Sequence, residues 1–256
     1  MKASLPQAVH IRGIASESAK VKTLVLDHSF EAAPGQFVMV WLPGLDEKPF
    51  SLVQADPVIL TVARVGPFST AVHALRTGEK LWLRGPLGRP FRLPVSPPSS
   101  SPGRLLLIGG GYGVAPMHFL ARRALEAGWE VRMIIGAQTA ADVIFAGRFG
   151  SLGAEVSITT EDGSQGLQGL ATDAATRLLA QARYQGIYAC GPEAMLDAVE
   201  RLALSRGLVA QLSYERYMRC AIGVCGSCAR QGWLVCRDGP VRDVNVISEQ
   251  QAPATS

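Results

Sequence analysis

Four of the five cysteines of this chain lie within seventeen residues, as Cys220-Ala-Ile-Gly-Val-Cys225-Gly-Ser-Cys228 followed by Cys236. No other spacing constrains the fold so tightly, because thiolates this close converge on a metal centre unless they are oxidised to disulfides. The pattern C-x4-C-x2-C with a later fourth cysteine fits the plant-type loop around a [2Fe–2S] cluster. Gly223 and Gly226 lie between the ligands, where the backbone must approach cluster sulfides closely or take positive φ. Tetrahedral zinc is one alternative, although structural zinc sites usually pair two similar C-x2-C knuckles and only one is present here. Disulfides are another, and suit an oxidising compartment for which the sequence gives no sign. A cluster that moves single electrons needs a donor and an acceptor, and the rest of the chain should supply one of them.

With 256 residues, 48% of them hydrophobic and 18% charged, the chain can build two cored domains and a small appendage. The formal charge of +4 is spread without a basic run, so no nucleic-acid partner is expected. Met1 to Leu5 carry no apolar targeting stretch, and no window approaches the roughly 18 apolar residues of a spanning helix. A cytoplasmic chain without membrane contact is expected.

Residues 7–93 read as β-rich. Val9 and Ile11 alternate with polar neighbours, and residues 37–42, 58–65 and 80–84 are short apolar or alternating runs between Pro and Gly turns. With one short helix near residues 69–75, they predict a small antiparallel barrel. Residues 93–103, Leu-Pro-Val-Ser-Pro-Pro-Ser-Ser-Ser-Pro-Gly, read as an interdomain linker. Beyond it strands at 104–108, 131–135, 156–160 and 187–189 alternate with helices at 115–127, 172–182 and 193–205, which predicts a doubly wound parallel sheet binding its ligand at the strands' carboxyl ends.

At the first of those ends stands Gly109-Gly-Gly-Tyr-Gly113-Val-Ala-Pro116. Glycines let a pyrophosphate approach the backbone, and Pro116 suits the first turn of a helix whose amino end favours an anion. The loop departs from G-x-G-x-x-G, and no acidic residue ends the second strand, which runs Ile135-Gly-Ala-Gln138. A glycine-rich turn with no ligand is the bland alternative. Two further loops at strand ends, Thr160-Glu-Asp162-Gly-Ser164 and Ala189-Cys190-Gly191-Pro192-Glu193, argue instead for a crevice. Cys190 reads equally as a small polarizable neighbour of a bound ring and as inert packing. In the β-rich part, Glu47-Lys-Pro-Phe-Ser-Leu52, Arg64-Val-Gly-Pro-Phe-Ser-Thr70 and Arg84-Gly-Pro-Leu-Gly-Arg-Pro-Phe91 each combine a cation or hydroxyl with a turn, as phosphate binding on a barrel rim requires. Phe50 or Phe68 could contact a flat ring. Singly, each segment is a turn with a solvated charge; together they carry weight.

In order, K-P-F-S-L, G-P-x-S-T, G-P-L-G-x-x-F, G-G-G-x-G-V-A-P, E-D-G-S, C-G-P-x-x-M and the terminal cysteine pattern resemble the electron-transfer subunit of type B dihydroorotate dehydrogenase, within the ferredoxin–NADP reductase superfamily. The resemblance spans residues 7 to about 243. It implies an N-terminal FAD-binding β-barrel (1–95), a linker (96–103), a doubly wound NAD(H) domain (104–212), a [2Fe–2S] lobe (213–243) and a tail (244–256). Carried over, Lys48, Pro49, Phe50 and Ser51 match the flavin segment, and Gly66, Ser69 and Thr70 its pyrophosphate loop. Gly110, Gly111 and Gly113 match the nicotinamide-nucleotide loop, Asp162 lies in a further nucleotide loop, and Cys190, Gly191 and Pro192 sit beside the ring. Cys220, Cys225, Cys228 and Cys236 match the cluster ligands. Lys48 stands where the family usually has arginine, a point charge in place of a bidentate fork, and the seven residues between Cys228 and Cys236 make a short hairpin for this family.

Nicotinamide exchanges a hydride, two electrons at once, whereas the cluster takes one; a flavin can do both, so a flavin must stand between them. The resemblance implies a partner subunit bearing FMN that oxidises dihydroorotate, with electrons passing through the cluster and FAD to NAD+, in a hetero-oligomer of two chains of each kind. The same architecture serves as the diaphorase subunit of other complexes, and a zinc- and nucleotide-binding assembly or sensor module is a reading of another class. No acid–base side chain is needed, and His10, His28, His73 and His118 show no ligand spacing. Residues 233–235 read either as a partner contact or as a strand of a hairpin packed on its own domain. The lack of periodicity in residues 248–256 predicts a frayed end. The sequence leaves NADH against NADPH open, with the family favouring NADH.

Overall fold

A computed structural model describes residues 5–95 and 103–244. Most of the expected linker and of the C-terminal tail lies outside these residues. The first unit is a closed antiparallel barrel of β1 (Gln7–Ser18), β2 (Val21–Leu26), β3 (Phe37–Leu42), β4 (Asp46–Ala55), β5 (Val58–Ala63) and β6 (Lys80–Leu87), in the order β1-β2-β5-β4-β3-β6. Period-two patterning explains it: in β5, Val58, Leu60 and Val62 are buried and alternate with half-exposed residues. Val9, Ile11, Leu24, Val38, Val40, Leu81 and Leu83 join them in the barrel core. The helix α1 (Pro67–Ala74) begins two residues before the sequence suggests, because proline is tolerated in a helix's first turn, and it plugs the barrel with Phe68 and Val72.

The second unit contains β7 (Arg104–Gly110), α2 (Val114–Glu126), β8 (Glu130–Ala137), α3 (Ala146–Leu152), β9 (Glu155–Thr160), β10 (Leu167–Gln168), α4 (Ala171–Gln181), β11 (Gly186–Cys190), α5 (Glu193–Ser205) and β12 (Ala210–Ser213). The sheet order, β10-β9-β8-β7-β11-β12, reverses direction between β7 and β11, so the switch point of a doubly wound sheet lies where the glycine loop meets Gly191. Strand β11 is buried throughout, as expected of a parallel strand covered on both faces. Three elements escape sequence reading: α3, whose segment holds Gly147 and Gly150, and the short strands β10 and β12.

After β12 the chain leaves the sheet, makes the hairpin β13 (Ala229–Arg230) and β14 (Trp233–Leu234) and the single turn α6 (Val235–Asp238), and returns as β15 (Val241–Val244). Strand β15 pairs antiparallel with β12, from Ala210 opposite Val244 to Ser213 opposite Val241. The cysteine segment is thus an excursion from the sheet's edge, tethered at both ends. Trp233 is buried, edge-on to Tyr214 at 5.8 Å, and Val235 is fully buried. Trp233 and Leu234 thus form a hairpin strand packed on its own domain, and Val235 begins the turn that follows. Phe37, Met39 and Leu87 of the barrel share one core with Met218, Ala221, Cys228 and Cys236, so barrel and cysteine lobe pack directly. Among the described residues no helix is long and apolar enough to cross a membrane.

Candidate functional site

Two cavities open on either side of the loop that follows β12. The barrel-side cavity, about 590 Å³, is lined by Lys48, Pro49, Phe50 and Ser51 of β4, by Gly66, Phe68 and Ser69, by Tyr112, and by Tyr214 to Met218. Phe50 and Phe68 stack at 6.2 Å and give it an apolar wall. Ser69 shapes the rim: its Oγ accepts from the backbone N–H groups of Val65 and Gly66, at 2.9 and 3.0 Å. Thr70 does not reach the cavity, and its N–H is spent on the Gly66 carbonyl within the turn. Lys48 is engaged on both sides. Its ammonium lies 2.5 Å from Asp46 and 4.8 Å above the Tyr217 ring, and the bond to Lys48 holds the Asp46 carboxyl below its ordinary range.

The sheet-side cavity, about 640 Å³, is lined by Gly110, Gly111 and Gly113, by Gly136 to Gln138, by Asp142, Thr159 and Glu161, and by Gly191 to Leu196. Its floor is backbone where the chains cross. A Cβ on Gly113 would stand 2.3 Å from the Cys190 carbonyl oxygen, so only glycine lets the loop lie against β11. Gly111, at φ +53°, has open space where a Cβ would be. Helices α2 and α5 both begin here, and the first turn of α5, Glu193 to Leu196, lines the cavity. The Thr159 hydroxyl is buried in its wall without a hydrogen-bond partner. Cys190 is fully buried and lines neither cavity, and burial pushes its thiol well above the ordinary range. Of its two readings, packing beneath the glycine loop is what the geometry shows. Asp162 lies on the surface outside the cavity, with its carboxylate accepting from the Ser164 hydroxyl and N–H at 2.6 and 3.0 Å.

Tyr112, Tyr214, Glu215 and Arg216 belong to both walls. The glycine motif contains Tyr112. The other three follow β12, a four-residue strand with too little periodicity to read from sequence, although a fourth strand end at the same sheet edge is where the doubly wound rule points. Glu215 is exposed at the cavities, and the protein around it raises its carboxyl by desolvation.

The four lobe cysteines fall into two pairs. Cys220 and Cys225 approach one another, with the Cys225 and Val224 N–H groups each 3.4 Å from the Cys220 sulfur. Cys228 and Cys236 do likewise, the Cys236 N–H lying 3.4 Å from the Cys228 sulfur. Among the described residues no three His, Cys, Asp or Glu side chains gather closely enough for one metal ion. Two thiol pairs suit two irons better than one tetrahedral zinc. The Ser227 hydroxyl, followed by backbone N–H groups, lowers the exposed Cys225 thiol to about 6. Burial and then the Cys228 sulfur push Cys236 up to about 12. Gly223 and Gly226 take φ of +82° and +74°, as the loop was expected to require.

The family model described as the iron–sulfur cluster binding domain of dihydroorotate dehydrogenase B matches residues 215–248, and the oxidoreductase NAD-binding domain matches residues 107–201. The chain is 38% identical over 92% of its length to a probable dihydroorotate dehydrogenase B (NAD(+)), electron transfer subunit of Methanocaldococcus jannaschii, covering 89% of that protein. It is 42% identical over 93% of its length to the like-named protein of Methanothermobacter thermautotrophicus, again covering 89%. Among solved structures, one of an NADH-dependent reduced ferredoxin–NADP oxidoreductase, studied for flavin-based electron bifurcation, aligns at a TM-score of 0.81 and 26% identity, over 92% of this chain and 88% of that one. With its cysteine lobe, glycine-floored sheet cavity and barrel cavity in one chain, this protein belongs to the family of dihydroorotate dehydrogenase B electron transfer subunits.

Proposed function

We propose that this chain is the subunit through which electrons from dihydroorotate, oxidised by an FMN-containing catalytic partner, reach NAD+. It holds FAD in the barrel cavity, NAD(H) in the sheet cavity and a [2Fe–2S] cluster in the lobe; together these groups supply hydride exchange at one end and single-electron exchange at the other. The observation that carries this reading is the shared wall, because Tyr112 and Tyr214 to Arg216 separate the two cavities by a single layer of residues.

The chain's own residues bind, orient and exclude water. Lys48 to Ser51 with Gly66 and Ser69 support the flavin, and the charge of Lys48 is available to a phosphate if Asp46 is displaced. Gly110, Gly111, Gly113, Gly191 and Pro192, with the starts of α2 and α5, support the nucleotide pyrophosphate. Asp142 and Glu161 in the sheet cavity support NADH over NADPH, since carboxylates repel a further phosphate. Cys220 with Cys225, and Cys228 with Cys236, supply one thiol pair to each iron. The flavin unit then runs to residue 95, the nucleotide unit over 104–212 and the cluster lobe over 213–243, in a hetero-oligomer with the catalytic subunit. Five unbridged cysteines support a reducing compartment, the cytoplasm.

The likeness to the ferredoxin–NADP oxidoreductase structure favours one second reading, the same chain serving a different catalytic partner. Purification without air, followed by iron, sulfide, zinc and flavin analysis and addition of NADH, tests the cofactors. About one FAD and two irons per chain, bleached by NADH, is the expected result. Coexpression with an FMN-containing dihydroorotate dehydrogenase should then give dihydroorotate-dependent NAD+ reduction; its absence would move the reading to the other partner.

A further inference from the structure

The sequence groups Arg84 with cations suited to a phosphate, yet in the fold its guanidinium is fully engaged elsewhere. Nε and one terminal nitrogen donate to the two oxygens of Glu47, at 3.1 and 2.8 Å. Both terminal nitrogens donate to the carbonyl oxygen of Cys220, each at 3.2 Å. The side chains are only 12% and 22% exposed, so this is a sheltered clamp rather than a surface pair. Its setting follows from register. Arg84 of β6 pairs with Met39 of β3, and Glu47 of β4 pairs with Trp41, two residues along the same strand. They therefore stand on the face of β3 that carries Phe37 and Met39, the face covered by Met218, Ala221, Cys228 and Cys236. Glu47 lies between Asp46 and Lys48 of β4, both of which line the barrel cavity.

We infer that Arg84 is a positioning residue, clamping the first cysteine of the lobe to the strand that supports the barrel cavity, so that its guanidinium fork sets where the cysteine loop begins relative to the barrel ligand. The inference rests on the cofactor assignment above, but the clamp can be read without it. Lysine cannot replace the arginine, because an ammonium cannot hold a carboxylate bidentately and a carbonyl in one plane.

The test uses the whole chain carrying Arg84→Met together with Glu47→Gln, which leaves no sheltered carboxylate alone. Amide exchange of residues 221–226 should quicken about tenfold, the loss expected for one charge-assisted hydrogen bond. In the anaerobically purified, cofactor-loaded chain, NADH should bleach the flavin band at the wild-type rate, while the later loss of cluster absorbance slows about tenfold and the reduced cluster's electron paramagnetic resonance lines broaden. A merely structural arginine would slow both phases or neither. If the double variant does not fold, Arg84→Lys carries the same test with the charge kept. Unchanged amide exchange, or two bleaching phases that remain in their wild-type ratio, would overturn the clamp. A wild-type chain without flavin and iron would instead refute the cofactor assignment, with amide exchange still deciding the role of Arg84.

Discussion

Gly113→Ala should distort the floor of the sheet-side cavity. The residue has φ −62°, so alanine meets no backbone strain, and the effect is purely one of space. The added carbon would lie 2.3 Å from the Cys190 carbonyl oxygen, 2.5 Å from its carbon and 2.7 Å from the Gly191 nitrogen, where 3.4 Å is an ordinary contact. All three atoms are backbone of β11 or its end, so no rotamer change relieves them. The glycine loop and β11 must separate by about 1 Å at the switch point, which as overpacking costs roughly 2–3 kcal/mol. Gly111→Ala is the control: it has open space but φ +53°, so it should cost about 1 kcal/mol from the left-handed backbone alone. Urea unfolding of both variants, with NADH titrated against each, separates the two effects. Gly113→Ala should lose the larger share of stability and weaken NADH by about a hundredfold, as expected of a 1 Å misplacement in a binding site. Equal losses in the two variants, or wild-type NADH binding by Gly113→Ala, would refute the argument from close approach.

Burial, then the nearby Arg148 and Arg122 cations, lowers His118 from 6.5 to about 4. Its unfolded-state pKa is the higher one, so stability should fall as pH drops from about 6.5 to 4, by up to roughly 3 kcal/mol, and level off below. His118→Phe, in the same contact with Phe145 and Phe149, should flatten that limb in urea midpoints measured across the range. In the metal-free chain at pH 7, Cys225 should be mostly thiolate and alkylate first, while buried Cys190 stays unmodified; mass mapping after brief iodoacetamide checks both. Ser227→Ala should slow the Cys225 reaction at pH 7 by raising its pKa. Cys228→Ser should cost most of the iron while the barrel keeps its flavin, read as iron and FAD per chain.

Much of this protein is written locally. Period-two runs such as Val58 to Val62, and the alternation of apolar strands with amphipathic helices, belong to short stretches and specify barrel and sheet directly. The spacing of Cys220, Cys225 and Cys228 within one loop likewise carries its chemistry in sequence order. The readings that needed the fold involve residues far apart in the chain. Trp233 and Leu234 form a hairpin strand and Val235 the start of a turn, held in place because Trp233 meets Tyr214 and Val235 the lobe core, contacts no local pattern encodes. The nucleotide sheet gains an antiparallel edge because β15 returns to β12 after 27 intervening residues, and two-residue strands such as β10 leave no periodicity to read. Cys190 could be read either way until burial placed its thiol beneath Gly113. Arg84 looked like a phosphate ligand because its role depends on Cys220, 136 residues later. The sequence thus determined which cofactor-binding units this chain builds, since each rests on local pattern and spacing. Tertiary structure alone decided how they meet, because the shared wall of Tyr112 and Tyr214 to Arg216 and the clamp at Arg84 exist only once distant segments are packed together.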